Sequence, residues 1–343
     1  MTQITTISEF LLQAGTQYRV YDMARGIRQI SEQDFLELES GLTKSAFPRQ
    51  QHAWFGIVFG NKQLSKQHYI WFLKFPLDEQ GYIVVATCKH FLQLIIAALG
   101  QQLEHAERQG GQLAENPYGF VPAQTQLANF NSISRRDLAL PDPGYLQQVV
   151  DYIKSPPGQN WQQLPLQGIS DFAAHCQQQA YCQLLMKNLA LVQPQVRHSL
   201  LSCLENHPVS APLSECISAY VRENMTSLPE LQAGLRALSQ STQDAPLQAL
   251  LKAVLDSPLG QDKDILTLIA ARHWQHLTNN QLLHLFMQNL AVIDDTTSLF
   301  APLFRDLVQI PILRELMLQV LRKPDKDQAL SLAIGTLFSE EKA

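Results

Sequence analysis

The sequence predicts an α+β N-terminal domain followed by an all-α helical-repeat domain of the HEAT-like solenoid type, so that the chain is predominantly helical overall. Three observations carry this. From Ser210 to Phe338 apparent helix pairs follow one another at a period of roughly 33 residues. Two segments, Ala53–Phe59 and His68–Phe75, are dense in aromatic and β-branched residues, the composition of strands. From Gly110 to Pro165, glycine and proline break every apolar run. The expected division is a small α+β domain with an antiparallel sheet at 1–110, a Pro/Gly-rich junction with short helices at 111–165, and an α-helical repeat domain at 166–343.

Taken in order, Ile7 to Ala14 has the apolar spacing of a short helix that Gly15 ends. Gln17–Met23 alternates in the manner of a strand, and Gly26–Ile30 is its expected hairpin partner. Ser31, followed by Glu32 and Asp34, reads as the N-cap of a helix that stops at Gly41, because acids favour the positive end of the helix dipole. The two aromatic segments, joined by the polar stretch 60–67, are expected to pair antiparallel. Pro76 ends the second, Leu77–Gly81 makes a polar turn, and after Tyr82–Val85 comes one long helix from Thr87 to Glu107.

In the repeat region, Ala211–Glu223 pairs with Leu228–Ser239, and Ala245–Leu255 with Asp262–Trp274. Asn279–Leu290 then pairs with Thr296–Val308, and Pro311–Leu321 with Asp325–Leu337. A less exact pair, Ala180–Val192 and Pro194–Glu205, precedes them. Leu247, Leu250, Leu251, Val254 and Leu255 recur at three and four, which places them along one stripe of a helix. Pro212, Pro229, Pro246, Pro302 and Pro311 fall at or near helix starts, where a missing N–H has no intrahelical partner to lose. Asp262, Asp264, Asp325 and Asp327 belong to first turns; as helix-start acids they need no metal.

The chain has 343 residues and a formal net charge of -5. The length suits two domains, and neither half carries the basic excess that phosphate backbones require, which argues against nucleic acid as partner. Five scattered cysteines, Cys88, Cys176, Cys182, Cys203 and Cys216, fit reduced thiols buried in helices. The N-terminus MTQITTISEF lacks the basic and long apolar regions of a signal peptide, and Phe91–Leu99 is too short to cross a bilayer. A cytoplasmic protein without membrane partners is expected.

Three stretches, YRVYDMARGI (Tyr18–Ile27), AWFGIVF (Ala53–Phe59) and IWFLKFPLDEQG (Ile70–Gly81), resemble an uncharacterised gammaproteobacterial protein family, a domain of unknown function. The resemblance covers about the first 100 residues well and the helical remainder by general pattern only. It implies a bacterial cytoplasmic origin and no catalytic or binding residues.

Phosphate loops of the GxxxxGK[ST] and GxGxxG types are missing, as are HExxH, CxxC and GxSxG, which tilts the reading away from an enzyme and from any cofactor. His273, His276 and His284 are better read as capping or exposed histidines than as metal ligands, and no metal site is expected. Two constellations stand as binding candidates. Tyr21, Asp22, Arg25 and Arg28 surround the first hairpin, where two guanidiniums beside an acid suit a carboxylate or phosphate. Trp71, Lys74, Asp78 and Glu79 put a large aromatic beside charges, a combination that anchors partners. The expected function is a non-enzymatic protein–protein interaction scaffold or adaptor whose partner is another protein. The alternative is an enzyme or ligand sensor that binds a small anionic ligand in the N-terminal domain.

Overall fold

The computed structural model describes residues 4–60, 68–104, 116–141, 143–156, 160–322 and 327–339. The expected loop at 61–67, the end of the helix at Glu107, the Gly110–Gly111 and Pro157–Gly158 breaks, and Asp325 lie outside the described residues. The chain divides into two compact units, Met1–Pro122 and Ala123–Ala343.

The first unit is built on a four-stranded sheet. Strands β1 (Gln17–Asp22), β2 (Arg28–Ile30), β3 (His52–Gly60) and β4 (Tyr69–Pro76) lie in the order β2-β1-β3-β4, all antiparallel. The register pairs Val20 with Ile57 and Phe55 with Leu73, so one face collects Tyr18, Val20, Phe55, Ile57, Leu73 and Phe75. Successive residues of a strand alternate faces, and this apolar set follows from that alternation. Helices α1 (Ile7–Gln13), α2 (Glu32–Glu39) and α3 (Val85–Glu104) supply Ile7, Leu11, Phe35, Phe91 and Leu92 to the same core. Aromatic rings fill it: Phe91 meets Trp71 at 5.5 Å and Phe75 at 6.0 Å, both edge to face, the arrangement ring quadrupoles favour. Ile83 makes an isolated bridge with Leu77 before α3 begins. Residues 118–120 run along β4, where Lys74 N–H donates to Tyr118 O and Phe120 N–H to Phe72 O.

Local signals set the helix ends. Thr6 and Ser31 cap α1 and α2 through their hydroxyls, and Gly15 (φ 68°) turns the chain out of α1. The Glu39 carboxylate of α2, 2% exposed, accepts the first amides of α1, from Ile7 at 2.7 Å and Ser8 at 3.1 Å. Two helices are thereby locked at a point where orphan N–H groups need an acceptor.

The second unit is helical. Its helices are α4 (Gln124–Asp137), α5 (Leu146–Lys154), α6 (Leu166–His175), α7 (Gln179–Asn188), α8 (Pro194–Leu204), α9 (Ala211–Glu223) and α10 (Leu228–Ala237). They continue as α11 (Asp244–Leu255), α12 (Lys263–Arg272), α13 (Asn280–Val292), α14 (Asp294–Thr297), α15 (Phe300–Leu307), α16 (Pro311–Arg322) and α17 (Gln328–Ser339). Helices α4, α6, α8, α10 and α12 pack each on the next, and α5, α7, α9, α11 and α13 do the same. The stripe Leu247, Leu250, Leu251, Val254 and Leu255 is buried throughout, each side chain contributing about 1.5–3 kcal/mol. Proline opens α8, α9 and α10, and the Asp262 side chain caps α12 by accepting from Asp264 and Ile265 N–H. In the proline-rich stretch, α4 and α5 bury Phe130, Ile133, Val149, Tyr152 and Ile153 and pack on α6.

Buried ion pairs connect the helices of this unit. Arg197 on α8 and Glu230 on α10 meet through Nε and Oε2 at 3.2 Å, with the Arg197 guanidinium lying over Tyr220. Glu205, just past α8, receives two bonds from Arg272, at 3.0 and 3.2 Å, and one from Arg236 at 3.0 Å. Charges taken from water hold only when paired and hydrogen-bonded, a condition both carboxylates meet.

Candidate functional site

The residues singled out in the first unit are used by its own architecture. Asp22 and Arg28 are direct cross-strand partners on β1 and β2, on the core-facing side of the sheet. Tyr21 is fully buried, Asp22 is 5% exposed and Arg25 3%. Asp22 accepts from Ala24 N–H at 3.0 Å, and burial pushes its carboxyl up to about 7 despite the neighbouring arginines. Arg25 Nε–H donates to Pro48 O at 2.8 Å, and the Arg28 guanidinium covers the Phe47 ring at 4.8 Å. The hairpin thus turns at Gly26, whose φ of 148° suits a residue without Cβ, and clamps the 47–49 segment.

The second constellation separates. Trp71 and Lys74 lie three apart on β4 and therefore on opposite faces. Trp71 packs on Phe59 at 4.5 Å and on Phe91, whereas Lys74 sits over Trp54, which Arg49 also covers at 5.1 Å. Asp78 folds its own turn by accepting from Gln80 and Tyr82 N–H, both at 2.9 Å, and Glu79 is exposed beside it.

The imidazoles are placed by packing. His273 is fully buried at the end of α12 with Nε2 2.9 Å from Leu235 O, and desolvation holds its imidazole down at about 3. Among the described residues, no group of three or more His, Cys, Asp or Glu is arranged to hold a metal ion. The five cysteines are free, four of them buried, and burial pushes the Cys88 thiol up to about 12.

Two sites in the second unit were not singled out by sequence. The first is a polar cavity of about 200 Å³ bounded by α4, α6 and the loop after α4. At its base Asp171 Oδ1 accepts from Ser132 Oγ at 2.6 Å and Gln167 Nε2 at 2.9 Å, while Ser170 Oγ donates to Asn129 Oδ1 at 2.8 Å. Asp171 Oδ2 and Asn129 Nδ2 are buried without a hydrogen-bond partner among the described residues. Arg135 and Arg136 stand at the rim, where Arg135 donates to Pro141 O and Arg136 contacts Asp137 at 3.3 Å. His175 Nδ1 lies 2.7 Å from Asp171 O, and since a carbonyl only accepts, that nitrogen carries the proton. The loop closes because Ala139 takes a left-handed φ of 51°, with Ala139 and Leu140 N–H returning to Arg136 and Arg135 carbonyls.

The second is the outer face of α17 with its groove against α13, about 530 Å³, bordered by Val292, Asp327, Ala329, Leu332 and Thr336. The helix reads QALSLAIGTLFS and contains no charged residue. Leu332 is 62% exposed, Phe338 52% and Val292 50%. Twelve uncharged residues in a row were the sequence signal for this face; the cavity had none, since its residues come from helices some forty positions apart.

These units define a two-part protein: a small antiparallel sheet covered by helices, then a predominantly helical body. The chain belongs to the family described as Protein of unknown function (DUF3549), which it matches over residues 2–338. No curated protein and no solved structure matches it. No helix among the described residues is long and apolar enough to cross a membrane.

Proposed function

We propose that the second unit is a HEAT-like solenoid and that the protein acts as a non-enzymatic scaffold or adaptor, holding another protein on the α17 face. Repeat architectures bury each helix pair against the next, and polar outer faces on the end repeats keep them soluble. Several features support the solenoid. Helix starts at Ala211, Asp244, Asn280 and Pro311 fall about one period of the expected array apart. Hydrogen bonds from Ser239 to Glu205 O and from Asn289 to Leu255 O each span 34 residues, tying one helix pair to its neighbour.

The observation that carries the interaction reading is the uncharged α17 with Leu332 and Phe338 more than half exposed. Exposed apolar side chains beside a groove are the geometry of a partner site, where burying a large side chain gives about 1.5–3 kcal/mol. Arg25 and Arg28 give less support to a small-anion site, because Arg25 is turned inward onto Pro48 O. The test is capture from lysate of the source cells with tagged wild type and a Leu332→Glu, Phe338→Glu variant. A stoichiometric protein held by wild type and lost from the variant supports the proposal; a partner held equally by both, or none at all, contradicts it.

A further inference from the structure

We propose that the cavity between α4 and α6 is a binding site for a small zwitterion of amino-acid size. Its ammonium is taken by Asp171 and its carboxylate by Arg135 and Arg136. This is independent of the interaction reading, since the cavity lies on helices remote in sequence from α17. Asp171 is 5% exposed and lines the cavity, yet its Oδ2 has no hydrogen-bond partner among the described residues. A buried acceptor left unmet costs about 1–3 kcal/mol, and more when charged. Folds keep such groups where something else uses them. Its other oxygen is fixed by Ser132 and Gln167, so the carboxylate cannot turn to find a partner without breaking two bonds.

The chemistry at the two ends is opposite. The base offers the Asp171 carboxylate, an acceptor that suits an ammonium with its several N–H donors. The rim offers guanidiniums, whose planar fork matches a carboxylate. Arg136 spends one donor on the adjacent Asp137 in a contact whose arginine side chain is 45% exposed, a pairing of small value that a ligand carboxylate readily replaces. At about 200 Å³ the cavity is smaller than the roughly 300–1,000 Å³ of drug-sized sites, which limits the occupant to about the size of a free amino acid.

The experiment titrates the full chain with the twenty free amino acids at neutral pH, read by calorimetry and by the rise in Tm that binding to the native state produces. For any amino acid that binds, its N-acetyl derivative and its decarboxylated amine are titrated in parallel. The proposal expects at least one amino acid to bind, and each derivative to bind at least tenfold more weakly. It expects Asp171→Asn to lose at least tenfold in affinity. Arg136→Gln, at the exposed rim where the fold is not at stake, is expected to lose several-fold, so the test stands even if Asp171→Asn fails to fold. Absence of binding by every amino acid at millimolar concentration overturns the proposal. So does equal binding of the acetylated form or of the amine, or affinity unchanged in Arg136→Gln.

Discussion

The two units solve the problem of polar groups differently. In the sheet unit, charges that look available in sequence are built into the structure: Asp22 faces Arg28 across two strands, Arg25 holds Pro48 O, and Glu39 caps α1. In the helical unit, some polar atoms stay unmet among the described residues, at Asp171 and Asn129, and two apolar side chains of α17, Leu332 and Phe338, stay exposed. A cluster of charges in sequence is therefore a poor guide to function unless something shows that its own fold leaves it unused. The aromatic sheet core leaves little room for such a site, whereas the packed helices of the second unit leave seams between them.

The largest expected effect separates the packing of the two units. Phe91→Ala removes a ring that touches Trp71, Phe75 and Tyr118, and is expected to cost about 3–5 kcal/mol. Hydrogen exchange in β3 and β4 would report it. In the helical unit the corresponding weak point is steric. A Cβ at Gly168 of α6 would stand 2.6 Å from Tyr145 O, a backbone atom that cannot step aside, so Gly168→Ala is expected to cost about 2–3 kcal/mol in chemical denaturation.

A smaller pair of effects sharpens the contrast because the two units place carboxyl groups in opposite states. Asp22 is raised to about 7 by burial. Its unfolded counterpart loses its proton first, so the stability it contributes is present at low pH and is lost as pH rises from about 4 through 7. Asp22→Asn should flatten that decline and leave the variant more stable than wild type at pH 8. Burial also pushes Glu230 up, but hydrogen bonds from Arg197 and Tyr220, with the Arg197 charge, outweigh it and hold the carboxyl below its ordinary value. Its contribution is present above the unfolded carboxyl range and lost as pH falls through the folded value. Glu230→Gln should remove that acid-side loss. Denaturation midpoints from pH 3 to 8 for both variants check the two signs. Smallest of all, Ala139→Gly relieves a left-handed φ of 51° and is expected to gain up to about 1 kcal/mol in Tm-derived stability.

Much of the fold was legible because its signals are local. Ser31 caps α2 and Asp262 caps α12, both written in the residues that follow them, and the expected Ala211–Glu223 is α9. The proline-rich stretch shows the limit of such signals. Its breakers were visible, but α4 and α5 bury one face each only because α6 is there to receive it. Trp71 and Lys74 carried a signal that reading by composition passed over, since a spacing of three on a strand sends side chains to opposite faces. The depth of Arg25 was not readable at all, because it depends on the 47–49 segment lying across the hairpin. Nor was the cavity: Ser132, Gln167 and Asp171 are ordinary helix residues until α4 meets α6.

The central proposal is that Leu332 and Phe338, more than half exposed, serve a partner and contribute little to the fold of the chain itself. Its most direct test is the stability of the Leu332→Glu, Phe338→Glu variant, measured by denaturant titration beside wild type. Exposed positions outside any packing interface change stability by no more than about 0.5 kcal/mol each, and that is the result expected here. A loss of more than about 2 kcal/mol, of the size seen when core side chains are truncated, would contradict it.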